Sequence, residues 1–214
     1  MNGTNLTSAR FVHRLLSLLG VFVSITAHAA TTSAWQEIKN SDDLQVFATQ
    51  VSGSPLLKIR ALAVIDADVT DIITAINNYA QQPSWVPYLT ETRVLEERSV
   101  TEKLLYSRFD APWPVDGRDV VYHVSRQESP DDSITFRQYS VESPLMPEKE
   151  GYIRATLMES TYTLTPLAKG RTRAELLFHA DPHGQLPLWL VNIVMSRIPS
   201  KTLQGLREQL EQAP

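Results

Sequence analysis

Residues 179–200, HADPHGQLPLWLVNIVMSRIPS, begin with turn residues and continue into a predicted helix that is apolar on every side. Such a helix must be covered on two faces or meet lipid, because it offers water no polar stripe. It is too short to span a bilayer, which takes about 20 apolar residues, and Asn192, Ser196, Arg197 and Pro199 interrupt it. The helix is therefore predicted either to pack fully into a core or to close an apolar compartment. The second arrangement favours a lipid-like ligand.

The N-terminus has the order of segments that is typical of a secretory signal peptide. Arg10 and Arg14 precede the apolar run LLSLLGVFVSI, which leads to the small-residue triplet at 27–29. We therefore expect cleavage between Ala29 and Ala30, with an uncleaved membrane anchor as the alternative. This leaves residues 30–214 as the mature domain. We expect this domain to be exported to the periplasm. The alternatives are secretion from the cell and anchoring in the membrane by an uncleaved signal.

Composition narrows the class of protein further. The chain has no cysteine, so disulfides and thiolate metal sites are excluded. Without residues 1–29 it would carry 18 basic against 24 acidic residues, a net charge of about −6, which argues against a nucleic-acid partner. The hydrophobic content of 43% makes disorder unexpected, and the length suits one domain.

The pattern between the two ends predicts an α+β fold. Two strands, 44–51 and 56–65, are followed by a helix that starts after Asp68, with Asp71 completing a capping box. A short helix or turn is expected near residues 82–87. Six more strands are predicted at 91–98, 102–110, 118–127, 133–142, 152–165 and 171–180, before a last helix at 186–211. Strands this close together are expected to pair as antiparallel neighbours, which gives one long, curved sheet.

Two segments, APWPVDGRDVVY at 111–122 and DPHGQLPLWLVN at 181–192, resemble motifs of the START family of lipid-binding domains. The resemblance covers roughly residues 35–212. It implies a helix-grip fold, in which a curved antiparallel sheet wraps around the long C-terminal helix and leaves an apolar tunnel. It also implies one lipid per chain, exchange at a membrane surface and no covalent chemistry; we expect a monomer without a cofactor. His183 stands where the family pattern has glycine, which predicts a different backbone in that turn. Sterol carriers of the family have a buried acid and a buried arginine on strands of the sheet, and no pair in this sequence matches them. Sterol is therefore not favoured over other lipids.

The apolar and aromatic residues near the last helix are the candidates for lipid contact. If the helix closes a tunnel they line it, and otherwise they are ordinary core. Trp113, between two prolines, suits a cavity mouth or a membrane interface, or else covers a sheet edge. The same two alternatives hold for Trp85 and Tyr88. The full candidate set is Trp113, Trp189, Leu190, Ile193, Val194, Trp85, Tyr88 and Phe109.

Polar residues of the two motifs are assigned structural roles. Arg118 and Asp119 alternate along a strand and so point to opposite faces, where one holds the preceding loop by a salt bridge and the other caps backbone groups. Asp181 is placed in the same structural group. The histidines at 123, 179 and 183 lack the spacing of a metal site or a catalytic triad, and we expect them to be dispensable for ligand binding.

Three functions remain open from the sequence. The leading hypothesis is a carrier of one hydrophobic ligand: a phospholipid, a fatty acid or another lipid. An enzyme similar to the polyketide cyclases, which share the helix-grip fold, is the alternative, and a module that binds a partner protein is the third. For the carrier, we expect a gate between the loop at 112–114 and the first turns of the last helix.

Overall fold

The computed structural model of the protein describes residues 34–41, 43–111 and 115–212. The predicted leader at 1–29 and the proline-framed Trp113 lie outside these residues. The first part contains strands β1 (Gln36–Ser41), β2 (Leu44–Val51) and β3 (Ser54–Ile65), helix α1 (Val69–Asn77) and a short 3₁₀ turn (Gln82–Ser84). The remaining elements are β4 (Leu89–Glu97), β5 (Glu102–Phe109), β6 (Gly117–Glu128), β7 (Ile134–Ser140), β8 (Tyr152–Arg154), β9 (Thr156–Leu167), β10 (Arg171–Asp181) and helix α2 (Leu188–Glu211).

The strands form one ten-stranded sheet, which confirms the predicted α+β helix-grip architecture. Its order is β1-β2-β3-β10-β9-β7-β6-β5-β4, with antiparallel pairing between all these neighbours. The pairing of β3 with β10 joins the first part of the chain to the last strand. Helix α2 then packs against β3, β10, β2 and α1, so the sheet curves around the C-terminal helix.

The predicted strand at 152–165 is wrong in one respect, because the structure divides it. Residues of β8 pair with Gly117–Asp119 of β6 in parallel, whereas β9 pairs antiparallel with β7 and β10. The connection at 141–151 is long enough to bring the chain back beside β6 in the same direction. Strand β1 was not predicted either; its residues are all exposed, so they carry no buried alternation.

Helix α1 starts where the sequence predicts, but without the predicted capping box. Asp68 is the N-cap residue, and its side chain makes no capping hydrogen bond. Its carbonyl oxygen instead accepts the N–H groups of Asp71 and Ile72 at 3.1 and 3.2 Å. Ile72 and Ile76 are buried, four residues apart on one face. The helix is therefore held by packing of this face rather than by its cap.

The main core lies between the concave face of the sheet and the two helices. Alternate residues of the strands supply it, among them Val46, Ile59, Leu105 and Leu164, and α2 adds Leu203 and Leu206. A smaller cluster lies on the opposite face of β5 and β6, where Met146 covers Leu104, Tyr106 and Val121. No helix in the described residues has both the length and the apolar character needed to cross a membrane.

Candidate ligand-binding cavity

A cavity of about 510 Å³ lies between the concave face of the sheet and α2, mainly its first half. Helix α2 presents to it a set of residues that recur at helical spacing: Leu190, Val191, Val194, Met195, Ile198 and Thr202. Strand β10 contributes Leu176, Phe178 and Ala180, every second residue and therefore one face of the strand. β6 contributes Val120 and Tyr122, and β9 contributes Ser160 and Tyr162 in the same way. Leu157 of β9 also lines the cavity, beyond the register shift that lies between its pairing with Ala180 and that of Glu159 with His179. Alternate residues of the strands and one face of α2 thus form an apolar chamber.

One wall of the cavity carries a chain of neutral hydrogen bonds. Tyr122 Oη lies 3.0 Å from Ser107 Oγ, which in turn lies 3.0 Å from Thr92 Oγ1. The Thr92 hydroxyl donates to Gln82 Oε1 at 3.1 Å, and Gln82 Nε2 donates to the carbonyl of Ile76 at 2.8 Å. Gln82, Ser107 and Tyr122 line the cavity. The wall can therefore orient a polar group of a ligand without placing a charge beside it.

Two of the three tyrosines that line the chamber, Tyr122 and Tyr162, have phenols that are held neutral. Burial raises the pKa of Tyr122 well above its usual range, and the hydrogen bond between Tyr122 and Ser107 offsets only part of the shift. Burial likewise raises the pKa of Tyr162, helped by the neighbouring Tyr122. Because both shifts disfavour the phenolate, neither hydroxyl is prepared to act as a base near neutral pH.

Arg118 and Asp119 point to opposite faces of β6 and hold two different segments. Arg118 Nε donates to the carbonyl of Pro182 and Nη2 to that of His183, both at 3.0 Å. Its Nη1 donates to the carbonyl of Asp116. On the other face, Asp119 is 1% exposed and receives two hydrogen bonds from Arg154, at 2.7 and 3.1 Å. Arg118 thus ties the entry turn of α2 to β6 on the cavity side. Asp119 ties β8 to β6 on the outer side.

The turn before α2 adopts left-handed backbone at His183, with φ of 50°, although glycine is absent there. Asp181 stabilises it, because Oδ1 accepts the His183 N–H at 2.7 Å, and His183 Nε2 lies 2.9 Å from Thr156 Oγ1. The expectation that histidine changes this backbone is therefore not supported. The following Gly184 has φ of 80°, and a Cβ there would lie 2.9 Å from Ile153 Cδ1.

The structure brings together four of the eight candidate residues for lipid contact. Leu190, Val194, Tyr88 and Phe109 line the cavity. Two other candidates, Trp189 and Ile193, lie on the outer side of α2, where they are 66% and 42% exposed. They face away because the cavity side of the helix is the opposite stripe, and the helix is covered on one side only.

Trp85 is the other residue that departs from the candidate set, since it lies in the main core rather than in the cavity wall. It packs where α2 carries Gly205, and a Cβ at that glycine would lie 2.3 Å from the Trp85 carbonyl oxygen. Trp113, and with it the loop expected to form the gate, falls in the part of the chain that the structure does not describe.

Several lining residues were not identified from the sequence. These are Gln82, Ser107, Tyr122, Tyr162 and Phe178, and Arg118 was assigned only a structural role. All of these except Gln82 lie on strands that were predicted, and their alternation is visible, but which face of each strand is concave depends on the pairing of distant strands. The alternation could have indicated two opposite sets, without telling which one meets the ligand.

The three histidines at 123, 179 and 183 have different contacts. His123 is buried on the outer face of β6, its ring 5.3 Å from that of Tyr139. Burial lowers the pKa of His179, which lies 3.4 Å from the Ser54 hydroxyl. Among the residues described, no group of three histidine, aspartate or glutamate side chains is arranged to hold a metal ion.

Comparison with known proteins places this geometry in a family. The family model described as the START domain matches residues 23–214. An uncharacterized protein of Pseudomonas aeruginosa is 30% identical over 196 residues, which is 92% of this chain and 96% of that protein. Phosphatidylcholine transfer protein of Mus musculus is 26% identical over 172 residues, covering 77% of this chain and 78% of its own. The crystal structure of a STAR-related lipid transfer protein fragment from Xanthomonas axonopodis superimposes with a TM-score of 0.74 at 29% identity, covering 83% and 99% of the two chains. The chain therefore belongs to the START domain family.

Proposed function

We propose that the protein binds a single hydrophobic lipid in the cavity between the sheet and α2 and transfers it between membranes without covalent chemistry. The observation that carries the proposal is the chamber of about 510 Å³, a volume typical of small-molecule sites. Most of its lining is aliphatic or aromatic, and each buried CH₂ of a ligand would contribute about 0.8 kcal/mol. An acyl chain would therefore be retained firmly.

The comparisons support lipid as the ligand class. The relatives named above include a phosphatidylcholine transfer protein and a STAR-related lipid transfer protein. The cavity itself favours a carrier over the cyclase-like alternative, because its two buried phenols, those of Tyr122 and Tyr162, are held neutral by burial. A phospholipid or a fatty acid fits this lining equally, since both place an apolar chain in the chamber.

We further propose that the exposed apolar residues of α2 make the transient contact with a membrane. Leu188, Trp189 and Ile193 are 44%, 66% and 42% exposed, next to helix residues that line the cavity. Between Leu188 and Arg207 the helix carries three basic residues and no acidic one, which suits an anionic bilayer surface. In this proposal residues 30–214 are exported and act as a monomer in the periplasm, between the two membranes.

The direct test is native mass spectrometry of protein purified from its own envelope fraction, followed by extraction of any bound molecule. A single bound lipid per chain is the expected result. Protein that carries no lipid, and that also takes none from phospholipid or fatty-acid vesicles, would contradict the proposal.

Transfer is tested by exchange of a fluorescent lipid between two vesicle populations. Trp189→Ser should slow exchange without lowering the amount of lipid bound, because the side chain lies outside the cavity. Gln204→Ser, an exposed position later in α2, is the control and should leave exchange unchanged.

N-terminal sequencing of exported protein tests cleavage after Ala29; an intact residue 1 would contradict the soluble carrier.

A further inference from the structure

Two charged side chains line the cavity in the described part of the chain, and they differ in burial. Asp110 is exposed to solvent, with Oδ1 accepting a hydrogen bond of 3.5 Å from Tyr152 Oη. Arg118 is only 9% exposed. Water therefore solvates the negative charge, whereas the positive charge is held largely out of water at the cavity wall. A ligand in the chamber meets a cation.

The positive charge of Arg118 has no carboxylate partner within 4.0 Å among the described residues. Its three hydrogen-bond partners are the backbone carbonyls of Asp116, Pro182 and His183. Arg154 on the other face of β6 provides the contrast, since its guanidinium is matched by both oxygens of Asp119. Carbonyl oxygens satisfy donors but do not neutralise a charge, and a buried charge without a counter-ion is costly.

The guanidinium also keeps unused hydrogen-bond donors. Arginine has five N–H groups, and the described contacts use one on Nε, one on Nη1 and one on Nη2. Within the residues that the structure describes, one N–H on each terminal nitrogen has no partner. Burial lowers the pKa of Arg118, and the negative charge of Asp116 offsets part of that shift, so an anion placed beside the guanidinium would favour its charged form.

We infer that Arg118 binds the anionic oxygen group of the ligand, a carboxylate or a phosphate, while the apolar chain occupies the chamber. This rests on the proposed function. A planar guanidinium with two free donors suits an oxyanion, which it can bind through two hydrogen bonds. Gly184 leaves the space beside Nη2 open, because a Cβ there would lie 3.1 Å from that nitrogen. Thr156, which also lines the cavity and contacts His183, lies near enough to the same turn to offer a neutral hydroxyl.

The first experiment compares ligands on the unaltered protein. Oleate is measured against oleyl alcohol, and dioleoyl phosphatidate against dioleoylglycerol, so that each pair shares its chains and differs in the anion. Tighter binding of the anionic member by about tenfold or more is expected from charge-assisted hydrogen bonds. A preference in the oleate pair alone assigns the site to a carboxylate, and one in the phosphatidate pair alone assigns it to a lipid phosphate.

The second experiment compares variants in the same assay. Arg118→Gln should abolish the preference for the anionic member while oleyl alcohol still binds, and Arg118→Lys should keep part of it. Arg126→Gln, the same change on the same strand away from the cavity lining, is the control. If Arg118→Gln fails to fold, the ligand pairs on the unaltered protein decide the question.

The outcomes separate the two proposals. Equal binding of anionic and neutral members to the unaltered protein would overturn the role of Arg118 and leave the lipid carrier intact. Failure of all four ligands to bind would overturn both.

Discussion

At the scale of single residues, Gly205 is the described glycine at which an added Cβ would come closest to another atom, the carbonyl oxygen of Trp85. Alanine usually stabilises a helix over glycine by about 1 kcal/mol. At Gly205 the sign should reverse, because the added Cβ would lie 2.3 Å from the Trp85 carbonyl oxygen. We expect Gly205→Ala to lower the free energy of unfolding by about 1–3 kcal/mol, measured by urea titration.

The matched control is Gln204→Ala, one residue earlier on the exposed side of the same helix. It should leave stability unchanged or raise it slightly. A Gly205→Ala protein as stable as this control would show that the close approach of α2 to Trp85 is not required.

His179 gives the fold a dependence on pH. Burial is the first cause of its lowered pKa and the charge of Lys58 the second, while Glu159 and Asp181 act in the opposite direction. The unfolded chain binds a proton near pH 6.5, the ordinary value, before the folded chain does. The stability contributed by neutral His179 is therefore complete above that pH and is lost as pH falls toward the lowered value.

We expect the free energy of unfolding to be smaller at about pH 5.5 than at about pH 7.5, and His179→Gln to reduce this difference. Chemical denaturation at the two pH values measures it. An unchanged difference in the variant would assign the pH dependence to other groups.

At the scale of elements, α2 has a cavity side and an outer side in its first half. Leu190 lines the cavity and Ile193 is exposed. Leu190→Trp should fill part of the chamber and lower the amount of lipid bound several-fold. Ile193→Trp, the same residue introduced on the outer side, should leave lipid binding unchanged.

Lipid extraction and mass spectrometry of both variants provide the measurement, with thermal unfolding to check the fold. Equal loss of lipid in the two variants would contradict the assignment of sides. The comparison also separates a cavity wall from an ordinary core, since a core site overfilled by tryptophan loses stability rather than ligand.

Pro199 divides α2 into two halves that should differ in mobility. Proline has no N–H to donate to the carbonyl four residues earlier, and the second half is anchored by Leu203 and Leu206, both 0% exposed. The first half borders the cavity instead. We expect amide hydrogen exchange to be faster at 188–198 than at 200–211, and bound lipid to slow it mainly in the first half. Uniform exchange along the helix would argue against a mobile first half.

At the scale of the whole molecule, a ligand that binds only the folded chain must stabilise it. At a free lipid concentration of 100 times Kd the gain is about 2.7 kcal/mol. For a chain of this size that raises Tm by roughly 5–10 °C. Calorimetry of delipidated protein, with and without added oleate, measures the shift. An unchanged Tm under conditions that load the cavity would mean that the ligand does not occupy a site of the folded chain.

The sequence by itself determined the α+β class, most of the strand bounds and the turn that leads into α2. These features depend on local causes: alternation along strands such as β3, proline and glycine at the breaks, and the two motifs around Arg118 and Asp181. The same local signals indicated that Arg118 and Asp119 point to opposite faces, as they do. The signal peptide, which the local order of basic, apolar and small residues indicates, stays a prediction.

Only the tertiary structure decided which side of each element meets the cavity. Tyr162 and Phe178 line it because β9 and β10 pair with each other, and because β10 also pairs with β3, more than a hundred residues earlier. The packing of α2 against β3 and β10 turns Leu190 inward and Trp189 outward. The parallel placement of β8 beside β6, which brings Arg154 to Asp119, has the same origin. Periodicity specifies two opposite faces for an element, and long-range packing alone selects the one that is enclosed.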